Sequence, residues 1–191
     1  KSIENAGMKA GMPVGPLALT DEVSMKLMDH IREQTEKDLA EEGKTVPQHP
    51  GFAVCEKLLA VNRPGKAAGA GFYEYPQGGT KFLWQELTTM FPQTTPLAQQ
   101  EMIDRMLIVQ ALDTVRCVEE GVLRSVADAN IGSIFGWGFS PFNGGTLQFI
   151  NGYGLKNLIE RAKQLEAKYG ERFSVPKLLQ DKADKGELFV D

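Results

Sequence analysis

Apolar residues recur at helical spacing along most of the chain. Between Thr20 and Glu42 the residues Val23, Leu27, Met28, Ile31 and Leu39 fall near one face. Glu33 and Lys37 form an i,i+4 pair on the other face, and Gly43 is placed to stop the segment, so the pattern predicts one long amphipathic helix with a break near Ser24. A shorter helix is predicted from Phe52 to Val61, with Phe52, Cys55, Leu58 and Leu59 as its apolar face. Gln99 to Glu120 gives the strongest pattern, a broad stripe of Ile103, Leu107, Ala111, Val115 and Val118 closed by Gly121. Ser125 is an N-cap for a helix reaching Phe135, with Asp128 in its first turn, where the helix dipole favours an acid. Leu155 to Tyr169 is amphipathic through Leu158, Ile159, Ala162 and Leu165 and stops at Gly170, and Pro176 starts a last helix.

The remaining segments connect these helices. Residues 1–11 read as a short helix ending at Gly11, Thr45 to Pro50 as a loop, and Gln77 to Pro96 as a connector with one short helix. No stretch of five or more residues alternates convincingly between apolar and polar. The fold class predicted is therefore all-α.

A pattern inside this pattern organises the chain. Met12-Pro13-Val14-Gly15-Pro16-Leu17-Ala18-Leu19-Thr20-Asp21 returns in weaker form at residues 143–151, and an offset of 130 positions pairs Gly15 with Gly145, Leu17 with Leu147, Asp21 with Asn151 and Met25 with Leu155. Each copy stops one helix, makes a tight turn and feeds a new helix, which predicts two tandem helical repeats. Copy two is preceded by the long 99–120 helix and copy one has no such counterpart after Lys1. That helix is expected upstream in a longer parent protein, and the apolar face of Val23, Leu27 and Ile31 is then expected to be left bare. The expected division is 1–80 for the first repeat, truncated at its N-terminus, and 81–191 for a linker and the second.

Charge and composition narrow the chemistry. A formal charge of −4, with Lys and Arg scattered among acids, gives no reason to attract nucleic acid. No apolar run approaches the ~20 residues of a membrane span, so a soluble protein is expected. Cys55 and Cys117 lie far apart without CxxC spacing and read as free thiols suited to a reducing compartment. His30 and His49 have no ligand-spaced neighbours and read as surface residues rather than metal ligands. Trp137, Phe139 and Phe142 read as core aromatics, because the basic residues of a base-stacking platform are absent.

The glycine-rich run Asn62-Arg63-Pro64-Gly65-Lys66-Ala67-Ala68-Gly69-Ala70-Gly71-Phe72-Tyr73-Glu74-Tyr75 invites comparison with a phosphate-binding loop. It carries neither GxGxxG between strand and helix nor GxxxxGK[ST], so a domain-closing turn with a short extended tail is the better reading.

These two segments resemble the C-terminal part of 3-hydroxyacyl-CoA dehydrogenases. Residues 12–21 are similar to that family's P-M-G-P-F-E-L-L-D segment, with Thr20 where Leu is usual, and residues 62–75 to its N-R-F-G-x-K-x-G-x-G-F-Y-x-Y ending, with Ala68 and its neighbours replacing polar residues. The continuation through Gly136-Trp137-Gly138-Phe139-Ser140-Pro141-Phe142-Asn143-Gly144-Gly145 resembles the multifunctional fatty-acid oxidation proteins, in which an enoyl-CoA hydratase domain precedes the dehydrogenase. The resemblance implies a fold similar to the 6-phosphogluconate dehydrogenase C-terminal-like domain, and NAD-dependent oxidation of an acyl-CoA substrate by the parent, in bacterial-type cytoplasm or another reducing compartment. It places the catalytic residues and the NAD site upstream of Lys1, with no cofactor in this chain. Pro13, Val14, Gly15, Pro16 and Leu17 are left as candidate substrate-binding residues. The bare apolar face leads to an expectation of self-association, and a thiolase subunit is the partner expected of a docking scaffold. The competing class is a stand-alone helical protein-interaction module.

Overall fold

The computed structural model describes residues 1–46, 49–93 and 95–190. It divides into two compact units: Val14–Pro96 with Lys1 and Ile3, and Leu97 onward with Ser2 and Glu4–Pro13. The first unit includes residues 81–96, which the expected division at residue 80 assigned to the linker ahead of the second repeat.

Helix α1 (Ser2–Lys9) leads into a cluster of the second unit in which Ala10 is buried with Leu107 and Phe139. In the first unit, α2 (Pro16–Val23) opens with a proline at its first position, where the missing N–H is one of the donors a helix start leaves without a partner. It stops at Ser24, whose backbone turns to φ 78°, ψ 129°, and α3 (Met25–Glu41) restarts at once as Met25 N donates to Pro64 O at 2.8 Å. The helical stretch expected over 20–42 is thus divided at Ser24, where a break was expected, and begins four residues earlier than expected. α4 (Pro50–Ala60) packs on α3. The expected loop at 45–50 lies partly outside the described residues. β1 (Tyr73–Glu74) and β2 (Phe82–Leu83) pair antiparallel, Tyr73 opposite Leu83, before the short α5 (Leu87–Met90). Met25, Leu58 and Phe72 form this unit's buried core, with Leu17, Val54, Trp84 and Phe91 packed around it.

The second unit is built on α6 (Gln99–Glu119), which buries Ile108, Ala111, Leu112 and Val115. Ser125 caps α7 (Val126–Trp137), its Oγ accepting from Asp128 N at 3.0 Å. A 3-10 turn at Pro141–Asn143 leads to α8 (Thr146–Tyr153), then α9 (Leu155–Tyr169) and α10 (Lys177–Lys185). Leu147, Ile150, Leu158, Leu165, Leu179 and Phe189 close the core against α6. Of the three expected core aromatics only Phe139 is buried. Phe142 is 93 % exposed on the 3-10 turn, and Trp137 stays at the surface, where its indole N–H donates to Gln110 Oε1.

The two repeats agree in backbone as well as in spacing. α2 and α8 have the same length, and adding 130 to the bounds of α2 gives those of α8. Gly154, the counterpart of Ser24, sits at φ 85°, ψ 120°. The polar residue closing each motif also does the same work. Asp21 accepts from the backbone of Phe72 and Tyr73, while Asn151 accepts from Phe189 N and donates to Phe189 O, so each repeat ties a later segment back to the helix that carries its motif.

Candidate functional site

The five residues predicted as the substrate contact differ in their placement. Pro13 belongs to the second unit and the other four residues to the first. Val14 is exposed, Gly15 is buried with an extended backbone, and Pro16 fixes the entry into α2. Leu17 turns inward and lines a cavity of about 400 Å³ with Phe72, Leu83, Trp84, Leu87 and Phe91. Lys1, Thr88 and Gln93 are the polar residues among its walls. The cavity falls in the size range of small-molecule sites and has their character, apolar walls with a few polar groups.

Two buried charged residues hold these walls in place. Asp21 Oδ1 accepts from Phe72 N at 2.8 Å, and its Oδ2 accepts from Tyr73 N and from the Tyr75 hydroxyl, both at 2.9 Å. A carboxylate with its oxygens so occupied can be buried without the usual penalty. Gly71 leaves it room: a Cβ there would come within 2.0 Å of Asp21 Oδ1. The Tyr75 phenol is pushed well above its ordinary range, first by burial and then by donating to Asp21. From the other side, Arg63 donates to Gly71 O at 2.7 Å, to Tyr73 O at 3.1 Å and to Glu74 Oε1 at 2.7 Å, and its guanidinium lies 4.2 Å from the Trp84 ring centre. The ring is thereby held as a cavity wall by stacking as well as packing.

The same bonds decide the nature of the glycine-rich run. Gly69 N donates to Lys66 O, Gly71 N to Tyr73 O, and the next two amides to Asp21. Amides so committed cannot cradle a phosphate, and the Arg63 charge is met by Glu74. The run is a closing turn. Among the described residues the sheet is a single antiparallel pair, with no strand, glycine turn and helix in βαβ order. These residues do not fit a dinucleotide.

The other candidates give no chemistry. Cys55 and Cys117 are free and half-buried, and burial, followed by nearby carboxylates, pushes both thiols up, away from the reactive thiolate. His30 is exposed, and exposed His49 caps α4 by accepting from Gly51 N. No cluster of three metal-ligating residues occurs among the described residues, and no helix among them is long and apolar enough to cross a membrane. Sequence reasoning singled out Asp21 as the end of a repeated motif without its role. It quoted Arg63 within the glycine-rich run without a role, and it missed Trp84. The signal was the spacing of one arginine before a Gly-Phe-Tyr-Glu run, whose acid and carbonyls are its partners.

With this geometry in place, the likenesses to known proteins become specific. Residues 1–75 match the family described as 3-hydroxyacyl-CoA dehydrogenase, C-terminal domain. Over that stretch the chain is similar to such a domain. Relatives match over nearly the whole chain: the fatty acid oxidation complex subunit alpha of Shewanella loihica is 36% identical over 99% of the chain, and that of Vibrio cholerae 34% identical over 99%. The chain spans 26% of the length of each, corresponding to their C-terminal part. Among solved structures, 3-hydroxybutyryl-CoA dehydrogenase from Escherichia coli superposes with a TM-score of 0.63 at 17% identity, covering 96% of this chain and 54% of that one. The dehydrogenase part of multifunctional enzyme 1 from C. elegans gives a TM-score of 0.63 at 16% identity, covering 94% of this chain and 41% of that one. In both, the matched part shares the all-α fold of this chain.

Proposed function

We propose that this chain is the acyl-binding and assembly region of an NAD-dependent 3-hydroxyacyl-CoA dehydrogenase of fatty-acid β-oxidation, acting within a longer polypeptide that holds the NAD site and the catalytic groups. The observation that carries the reading is Leu17. It lies in the motif that resembles the dehydrogenases and at the same time forms a wall of the 400 Å³ apolar cavity. Oxidation of a 3-hydroxyacyl-CoA needs a base and a hydride acceptor near the hydroxyl, and the alkyl chain beyond it needs only a dry, shaped surface. This chain offers the second. Asp21 and Arg63 give the walls rigidity, so little conformational entropy is lost when an acyl chain enters. Val14 to Leu17, with Pro13 before them, are proposed as the rim over which the acyl chain passes. The proline-fixed backbone suits that role because it is already ordered before binding.

The test is a chain-length comparison in the longer polypeptide. Thr88→Glu places a charge at the exposed edge of the cavity without disturbing the buried core. KM is expected to rise about tenfold for a ten-carbon 3-hydroxyacyl-CoA, a loss of about 1.4 kcal/mol in binding, and to stay unchanged for the four-carbon substrate. Equal effects on both substrates, or none on either, would remove the cavity from the reading.

A further inference from the structure

The first unit holds a second cavity, of about 230 Å³, walled by Met28 of α3, by Phe52, Val54 and Cys55 of α4, and by Phe72. Among the described residues, Val54 and Phe72 are the two that also line the 400 Å³ cavity behind Leu17. Their side chains therefore stand where the two cavities meet. The apolar face of Val23, Leu27 and Ile31 is exposed, as the sequence led us to expect, and it lines neither cavity. The charged walls of the second cavity, Asp29 and Arg32, are paired with each other at 2.7 Å, so what that space offers a guest is mainly apolar. The two shared residues differ in how firmly they are held. Phe72 is 6 % exposed, its N–H donates to Asp21 Oδ1 at 2.8 Å, and its carbonyl accepts from Trp84 N at 2.9 Å. Val54 is half-buried within α4, one turn before the fully buried Leu58. A β-branched side chain in a helix keeps largely to one rotamer, so Val54 is a stiff obstacle although nothing but packing fixes its tip.

We infer that Val54 and Phe72 set the longest acyl chain that the first cavity takes, by closing it against the second. The inference rests on the acyl-binding reading of that cavity. A chain entering past Leu17 gains about fourfold in affinity for each methylene taken out of water. The gain stops when its end meets Val54 and Phe72, because further carbons must stay in water or fold back. Beyond the partition lies apolar space, walled by Met28, Phe52 and Cys55, that the same chain could fill. Val54 is the member that can be trimmed. Removing its two methyl groups joins the cavities, whereas removing the Phe72 ring would take away a third of the core formed with Met25 and Leu58.

The test is kcat/KM in the longer polypeptide over a series of 3-hydroxyacyl-CoA substrates lengthened two carbons at a time from the four-carbon one. The unaltered sequence is expected to show a rise with length that ends at a break. Val54→Ala is expected to move the break to longer chains by at least one step of the series and to leave the four-carbon substrate within about twofold. Val54→Phe, which adds bulk at the same point, is expected to move it to shorter chains, so the inference stays testable if one of the two variants folds poorly. Cys55 lines the second cavity and not the first. Cys55→Leu should therefore leave the break where it is in the unaltered sequence, and restore it to that length when combined with Val54→Ala. A break that stays in place in both Val54 variants, a shift that Cys55→Leu does not reverse, or a rise without a break would overturn the partition and leave the acyl-binding reading standing. Thr88→Glu in the same series decides that reading separately: without an effect at any length, the cavity is not the acyl site and the partition falls with it.

Discussion

Asp21 shows how one side chain joins the sequence motif to the cavity. It is 1 % exposed and accepts three hydrogen bonds from the tail that carries Phe72. Asp21→Ala leaves two amides and a hydroxyl without their acceptor, which is expected to cost the first unit about 3 kcal/mol or more. Denaturant unfolding followed by Trp84 fluorescence, in a Trp137→Phe background, measures that unit alone. A loss under about 1 kcal/mol would mean that water replaces the carboxylate freely. Ser24 gives a second prediction of opposite sign. It occupies a positive-φ conformation that its counterpart fills with glycine, so Ser24→Gly is expected to stabilise the first unit by about 1 kcal/mol and Gly154→Ser to destabilise the second by a similar amount. The same denaturation series checks both, and equal signs would show that the two bends are not equivalent.

Among the elements, the ends of α6 and α9 and the start of α7 were legible because capping serine, terminating glycine and apolar period agree there with what packing requires. The break at Ser24 was legible only as a weak point. What enforces it is a long-range bond, Met25 N to Pro64 O, that no local pattern contains. Trp137 and Phe142 were misplaced for a related reason: aromatic content predicts burial only where a partner surface exists, and the 3-10 turn holds Phe142 outward. The candidate site was half legible, since Leu17 could be read from its motif whereas the residues that close the cavity come from segments up to 76 positions away, at Gln93. The seam between α6 and α9 gives a pH prediction. Glu101 is held below its ordinary value of 4.5, first by the Tyr169 hydroxyl and then by Lys168. A depressed folded value means that this contribution is complete above pH 4.5 and is lost as pH falls through the folded value. Glu101→Gln should therefore lower the melting temperature of the second unit at pH 6, with a difference that shrinks below pH 4.5. A difference independent of pH would place the loss in packing instead.

At the scale of the whole molecule, a single helical design appears twice. The second is sealed by α6 and ends in a buried Phe189, whereas the first keeps an open cavity behind the motif that resembles the dehydrogenases. The division of labour proposed here, with acyl recognition in this chain and hydride chemistry elsewhere in the polypeptide, is tested most directly by titrating the purified chain in parallel with a ten-carbon 3-hydroxyacyl-CoA and with NAD+, following Trp84 fluorescence and heat. The account predicts a saturable change in Trp84 with the acyl-CoA, weakened about tenfold by Thr88→Glu, and no binding of NAD+. Micromolar binding of NAD+, or an acyl-CoA that leaves Trp84 unchanged, would contradict it.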